Sequence, residues 1–379
     1  MSVATHGSAL LPAYARQDVT FVDGEGSWLV DAEGHRYLDL VAGIAVVGLG
    51  HCHPAPLAAA RGQLERLWHV SNLYWTEPMV SLADRLSARF GGASAFFCNS
   101  GAEAVEAALK YARKATGNPG VVALEGSFHG RTLGSLSVTG QPAKREAFEP
   151  LVPGIAFARL NDPESLAAVV GPDTGCILLE PVQGEGGIHV VDETFVAEVR
   201  ALADEHGALL ILDEVQTGVG RTGTFFAFEQ LGVRPDAVTL AKGLANGLPI
   251  GCLLVADGVP AGFEPGDHAS TFGGNPVACA AAGAVCDTIN DELLEHVREQ
   301  GARLVERLGA LPAVSDVRGR GLLLAAELER PAGEVVASCL ERGLLVGMAG
   351  EQTLRITPPL TIEAHELDRA LAILEEVLT

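Results

Sequence analysis

The chain has 379 residues and a formal charge of −22, from 26 basic against 48 acidic side chains, so it repels phosphate backbones and nucleic acid is excluded as a partner. Its hydrophobic content of 48 % supplies a large core, and the length exceeds the roughly 250–300 residues that one core serves, so two packed domains are expected. No apolar run approaches the ~20 residues of a membrane span, and no membrane partner is expected.

The opening stretch, MSVATHGSALLPAYARQD, lacks a basic region followed by a long apolar one, so no signal peptide is expected. Seven cysteines, at 52, 98, 176, 252, 279, 286 and 339, include no Cys-x-x-Cys pair, and several sit in apolar runs such as AFFCN and CILLE. They read as reduced core residues of a cytoplasmic protein. WLVDAEGHRYLDL reads as a hairpin turning at Ala32-Glu33-Gly34-His35. HCH, at His51 to His53, invites a metal, but no third ligand follows at zinc spacing. A loop entering a helix after Pro54 is the expected structure there, and no metal site is expected.

From about residue 95 to 256 short apolar runs alternate with glycine-punctuated, helix-compatible segments. The runs are SAFFCN (94–99), VVALEG (121–126), CILLEP (176–181), ALLILDE (208–214), VTLAK (238–242) and CLLVA (252–256). Runs apolar on both faces suit a parallel sheet covered by helices. The first five lead into Asn99-Ser100-Gly101, Ser127-Phe128-His129, Gln183-Gly184-Glu185, Asp213-Glu214 and Lys242. In open α/β sheets ligands bind at the carboxyl ends of the strands, so these five ends predict one site.

NSGAEAVEAALKYARK predicts a turn and a strong helix, with Ser100 and Gly101 at its start, where free N–H groups and the helix dipole suit a phosphate. Ordinary capping by Asn99 or Ser100 accounts for the same residues. DEVQTGVGRTG contains Gly218, Gly220 and Gly223, a literal G-x-G-x-x-G. No acidic residue stands about 20 positions on, and polar residues separate the glycines from the strand, so these read as loop glycines rather than a nicotinamide site. Asp213 and Lys242, at neighbouring strand ends, suit a buried ion pair, which is expensive when desolvated. Pyridoxal phosphate is a more specific account. Its aldehyde condenses with a lysine, its ring nitrogen needs a carboxylate, and its phosphate needs a helix N-terminus.

Beyond about residue 277 the pattern changes to helix over 277–309, GLLLAAEL (321–328), a helix near 331–342, LRITPPL (354–360) and a terminal amphipathic helix. The expected organisation is an N-terminal segment 1–49 packing on the small domain, a large domain 50–275 and a small α+β domain 276–379.

GHCHP, FFCNSGAEAVEAALKYAR, GSFHGRT, EPVQGEGG, ILDEVQTGVGRTG, LAKGLANGLPIG, STFGGNPVACAA and LRITPPL, in this order over nearly the whole chain, resemble the class III pyridoxal-phosphate-dependent aminotransferases of fold type I. Within that family the acetylornithine branch is the nearest resemblance. The resemblance implies an α/β fold with a mostly parallel large-domain sheet flanked by helices and a smaller α+β domain. It implies that Lys242 holds the cofactor by condensation and then shuttles the proton between substrate carbon and cofactor. Asp213 would pair with the ring nitrogen, Gln216 would lie near the phenolic oxygen, and Phe128 would stack on the ring beside His129. Ser100, Gly101 and Ala102 would hold the phosphate, and Thr271 would reach that of the neighbouring subunit in a homodimer with shared sites.

The same resemblance implies that Arg131 takes the carboxylate of N-acetylornithine or the distal carboxylate of glutamate. Arg355 would take the α-carboxylate of glutamate and be shielded by Glu185 when the other substrate binds. A guanidinium suits both tasks, since its fork binds carboxylate in a bidentate way. Ile44 stands where ornithine δ-aminotransferases carry a tyrosine, which agrees with an acylated donor; Val47-Gly48 departs from the asparagine-containing form of that segment. The expected activity is transfer of the δ-amino group of N2-acetylornithine to 2-oxoglutarate, with glutamate as product, in arginine biosynthesis. Succinylornithine, N-succinyl-diaminopimelate, 4-aminobutyrate and ornithine are the alternative donors. An aminomutase agrees less well with two carboxylate-binding arginines, and a non-catalytic regulator would need a DNA-binding module for which this chain has neither spare length nor basic charge.

Overall fold

A computed structural model describes residues 9–379. The first eight residues, part of the stretch in which no signal peptide is expected, lie outside the described residues. Strand β1 (Phe21–Glu25) pairs with β2 (Trp28–Asp31), which turns at 32–35 into antiparallel β3 (Arg36–Asp39). Asp31 makes that turn: its Oδ1 accepts from Glu33 N at 2.9 Å and His35 N at 2.8 Å, the side-chain mimicry of a backbone turn that suits Asp.

The central sheet is built from β4 (Ala93–Cys98), β5 (Gly120–Leu124), β6 (Ile155–Ala158) and β7 (Thr174–Leu179). The short ribbon β8 (Val182–Gln183) and β9 (His189–Val190) follows, then β10 (Leu209–Asp213), β11 (Ala237–Leu240) and β12 (Gly251–Ala256) return to the sheet. Its order is β4-β12-β11-β10-β7-β5-β6. Six of the seven strands coincide with the apolar runs. The seventh, β6, is an edge strand whose first three residues are only partly buried, and no run announces it.

One direction differs from the sequence expectation. β12 runs antiparallel to both β11 and β4, whereas the other pairings of this sheet are parallel. The connection 241–250 is too short for the crossover of a dozen or more residues that a parallel return requires. β12 therefore starts at the edge where the other strands end.

Both faces of the sheet are covered. Val121, Ala123, Cys176, Leu178 and Ile211 face Val105 and Ala108 of the helix Gly101–Thr116. Their alternate neighbours Val122, Leu124, Ile177, Leu179 and Leu210 belong to the larger core, with Phe195 and Val199 of the helix Glu193–His206. Every residue of β7 and β10 is buried. Truncating one such leucine to alanine costs about 2–5 kcal/mol, because the rigid layers cannot close the hole.

After the helices Pro276–Thr288 and Asp291–Gly309 come β13 (Val314–Arg320), β14 (Leu323–Leu328), the helix Ala332–Glu341, β15 (Leu344–Leu345), β16 (Gly347–Met348), β17 (Thr353–Ile356) and the helix Ala364–Leu378. An antiparallel sheet forms in the order β13-β14-β17-β16. β13 carries no apolar run, since most of it is partly exposed. β15 joins the first hairpin by pairing parallel to β3, Leu344 opposite Leu38. Ser27 and Trp28 add donors to the Glu366 carboxylate at 3.0 and 2.7 Å. We propose the division near residues 49 and 275 on this basis, with the helix Pro276–Thr288 as a bridge that packs on the helices Pro54–Leu64 and Glu77–Phe90.

All seven cysteines are free, and six are buried; the expectation of core thiols fails at Cys52, which is exposed and at φ 52° in the loop before Pro54. Its neighbours have structural partners. His53 Nδ1 accepts from Ala55 N at 3.3 Å, and His51 Nε2 donates to Asp39 at 2.8 Å. Among the described residues no helix is long and apolar enough to cross a membrane.

Candidate active site

The carboxyl ends of β4, β5, β7, β10 and β11 open onto one cavity of about 410 Å³. β4 ends at Asn99-Ser100, and Ser100 is the N-cap of a 16-residue helix, its Oγ accepting from Glu103 N at 3.2 Å. The capping reading and the anion reading are thus compatible. The Ser100 hydroxyl proton and the N–H groups of Gly101 and Ala102 remain for an anion at the positive end of the helix. A side chain at Gly101 would stand 2.7 Å from Val215 Cγ1, so the cradle admits only glycine.

Asp213 ends β10 on the cavity floor, almost fully buried. Its Oδ1 accepts from Val215 N at 3.0 Å and from Thr239 Oγ1 at 2.9 Å. Its Oδ2 accepts from His129 Nδ1 at 2.7 Å. Burial alone would lower the His129 pKa, and the Asp213 carboxylate more than reverses this, so the imidazole is held above its ordinary value. Gln216 and Phe128 complete this wall.

Lys242 follows β11 at φ 43°, in a single turn of 3-10 helix that points its side chain into the cavity. Desolvation lowers its pKa to about 8, with Glu185 pulling the other way. A lowered pKa raises the share of neutral amine near pH 7, which is the nucleophilic form. Covalent capture of an aldehyde by the cofactor-free protein should therefore speed up about tenfold per pH unit below pH 8 and level off above it. Borohydride reduction of the loaded protein should leave its adduct on Lys242, located by peptide mass mapping. An adduct at Lys110, Lys114 or Lys144 would overturn the assignment.

The two arginines stand differently. Arg131 is exposed at the rim, with its guanidinium 5.6 Å from the Phe128 ring centre. Arg355, on β17, is 4 % exposed and pairs through NH1 with Glu185 Oε1. It also donates to Gly184 O at 3.3 Å, and its buried Nε has no partner among the described residues. Burial would raise the Glu185 pKa; the Arg355 charge overrides it and holds the carboxyl below its ordinary value. Neither Arg355 nor Glu185 lines the cavity itself, yet both act on the charge of Lys242.

The structure brings Ser100, Gly101, Ala102, Phe128, His129, Arg131, Asp213, Gln216 and Lys242 together at the cavity. Thr271 is not among its lining and is exposed, beside Ser270, which accepts from Asn99 Nδ2 at 3.2 Å. Three polar residues escape the sequence reading. Thr239 holds Asp213. Glu180, buried at the end of β7, accepts from Phe128 N at 2.9 Å and Gly184 N at 3.1 Å, and burial pushes its pKa up to about 7. Lys144 sets its ammonium 4.9 Å from the Phe128 ring centre, within electrostatic reach of Glu185. The run CILLE already ends on Glu180, which is the signal that could have found it.

Pyridoxal phosphate fits these residues. His129 Nε2 and Gln216 Oε1 are buried polar atoms at the cavity wall with no partner among the described residues. The Asp213 carboxylate keeps a lone pair on Oδ2 for a ring N–H, and the glycine cradle accepts a phosphate.

The sequence profile described as aminotransferase class-III matches residues 13–378. The chain is 49 % identical to the acetylornithine aminotransferase of Gloeobacter violaceus over 97 % of this chain and 95 % of that one. Among solved structures it is similar to the N-acetylornithine aminotransferase of Stenotrophomonas maltophilia, at 36 % identity and TM-score 0.83, covering 96 % of each chain. It is also similar to the ornithine aminotransferase of Toxoplasma gondii, whose active site shows partial occupancy of pyridoxal phosphate, at 31 % identity and TM-score 0.92, covering 98 % of this chain and 92 % of that one. With a profile match over nearly its whole length and a lysine, a carboxylate and a helix N-terminus around one cavity, the chain belongs to the class III aminotransferases, which work with pyridoxal phosphate.

Proposed function

We propose that the chain moves the δ-amino group of N2-acetylornithine to 2-oxoglutarate in two half-reactions, as a step of arginine biosynthesis. The observation that carries this reading is the state of the two arginines: Arg355 is already neutralised by Glu185, while Arg131 is exposed at the rim and pairs with no carboxylate among the described residues. A donor with one carboxylate needs Arg131 alone. An acceptor with two carboxylates needs both, and displaces Glu185 from Arg355. The names borne by the relatives support the same donor.

The bound cofactor supplies an electron sink conjugated to the substrate's amine-bearing carbon. The residues of the chain do the rest. Lys242 Nζ holds the cofactor between turnovers, then takes the proton from that carbon and returns one. Asp213, held by Thr239 and His129, keeps a proton on the ring nitrogen. Arg131 and Arg355 orient substrate carboxylates by charge-assisted hydrogen bonds. The deciding experiment offers 2-oxoglutarate with acetylornithine, succinylornithine, N-succinyl-diaminopimelate, ornithine and 4-aminobutyrate in turn. Acetylornithine should give the highest kcat/KM, and preference for free ornithine or 4-aminobutyrate would overturn the donor assignment.

The working unit is a homodimer in this reading. Trp68, Leu73, Tyr74, Trp75 and Phe272 are 60–86 % exposed. Asn72 donates to Ser270 O and Gly273 O at 3.0 and 2.8 Å, which joins the two segments into one apolar face. Faces of this kind mark protein contacts, and Thr271, exposed between Ser270 and Phe272, supports a role toward a second copy. Thr271→Val should weaken cofactor binding by roughly 10–150-fold, the worth of a hydrogen bond to a charged group, ~1.5–3 kcal/mol. A chain that sediments as a monomer and keeps wild-type cofactor affinity in this variant would overturn the shared site. The free cysteines suit a reducing compartment, and we place the protein in the cytoplasm.

A further inference from the structure

Residues 42–45 form a left-handed turn. Gly43 has φ 63° and ψ 33°, Ile44 has φ 66° and ψ 58°, and Ala42 and Ala45 have φ 49° and 60°. Three of these four residues carry a Cβ and one is β-branched, the side chains that pay most for this conformation. Such strain persists only where the surroundings over-determine it. Packing supplies part of the constraint, since Ala42 and Ala45 are buried; on the side of Val41 and Gly43 the turn borders a cavity of about 320 Å³ that Asp39 and His51 also line, and there packing is open.

What holds the turn is a polar clamp. Asp39, 2 % exposed, accepts at Oδ1 from Val41 N at 2.8 Å and Ala42 N at 2.9 Å. Its Oδ2 accepts from His51 Nε2 at 2.8 Å, so one imidazole fixes the carboxylate that fixes the turn. Val41 O accepts from Thr357 Oγ1 at 3.0 Å, two residues beyond Arg355. Downstream, Leu49 N donates to Asn246 Oδ1 at 2.8 Å and Asn246 Nδ2 donates to Gly50 O at 2.9 Å, four residues beyond Lys242. The next residue after the turn, Val46, stands on the wall of the main cavity beside Gly247 and Leu248.

We propose that Asp39 and His51 are positioning residues for donor selection: by clamping residues 42–45 in the left-handed turn they fix where Val46 stands on the cavity wall. This rests on the reading of the cavity as the site of a long amino donor. A wall residue limits a long acylated chain more than it limits glutamate, which two arginines pin. The clamp therefore governs which donor fits and leaves the acceptor half-reaction alone.

The test measures both half-reactions by single-turnover absorbance in His51→Leu and His51→Gln holoenzymes. His51→Leu should lower kcat/KM for acetylornithine about tenfold, lower the preference for acetylornithine over ornithine by a similar factor, and change the glutamate half-reaction less than twofold. His51→Gln, which can still donate to Asp39, should restore both donor values. If His51→Leu does not fold, His51→Asn, too short to reach Asp39 at a position that is partly exposed, reads the same quantities. Equal losses in both half-reactions, a donor preference that does not move, or failure of His51→Gln to restore it would overturn the proposal. Should the wild type prefer another ω-amino donor, the same asymmetry is read with that donor, so the failure of the substrate assignment and the failure of the clamp remain separate results.

Discussion

Arg355→Ala should slow the glutamate half-reaction by about 30- to 5,000-fold and leave the acetylornithine half-reaction within a few-fold of wild type. The range follows from the ~2–5 kcal/mol that truncating one partner of a buried charge pair costs, much of it from the charge left behind. In the resting site that partner is Glu185, and with glutamate bound it is the α-carboxylate. The acetylornithine half-reaction binds no carboxylate at Arg355, and the Glu185 carboxylate left behind by alanine is 23 % exposed, so water can take over its solvation. Glu185→Gln should show the converse, with an uncovered Arg355 capturing carboxylates that belong elsewhere and the acetylornithine half-reaction weakened. Arg131→Ala should damage both. Stopped-flow absorbance of the loaded enzyme with each substrate alone separates the halves. Equal slowing of both in Arg355→Ala removes the arginine switch.

Asp213→Asn should fold, and should lose about 10²–10³ in turnover, the ~2.7–4 kcal/mol typical of one preorganised electrostatic contact. The loss has two sources. An amide cannot hold a proton on the ring nitrogen, and its NH2 cannot accept from His129 Nδ1 as Oδ2 does at 2.7 Å. Thr239 Oγ1 and Val215 N still find an acceptor in the amide oxygen, so the fold keeps its contacts. Circular dichroism and the melting temperature should stay near wild type while turnover falls. A folded variant with wild-type turnover would remove Asp213 from its role.

Most of the cavity was legible because its residues lie at the ends of buried strands. Asp213 and Lys242 stop apolar runs, and a polar residue in that position demands a reason. Three features were not legible, each for a physical cause. β6 is a half-covered edge strand, so its burial leaves no pattern in the sequence. The antiparallel course of β12 follows from the length of a connection rather than from the strand's own composition. The left-handed turn at Ala42–Ala45 contradicts the local preference of alanine and isoleucine, and exists because Asp39, His51 and Thr357 hold it from outside. Thr239 and Glu180 are likewise roles conferred by neighbours. The pairing of Glu185 with Arg355 joins positions 170 residues apart, and only the resemblance to a family pointed to it.

The place of β12 between β4 and β11 sets an order of events during synthesis. The helix that begins at Gly101 and the lysine at 242 are on separate strands until β12 enters between β4 and β11 and zips Cys98 to Gly251. Such non-local pairing is slow, because a long loop must close before any contact rewards it. A nascent chain ending before residue 251 holds the phosphate cradle and the lysine without the strand that sets them side by side. Cofactor capture is therefore a late event, and chains released from the ribosome short of β12 should emerge colourless however much pyridoxal phosphate surrounds them.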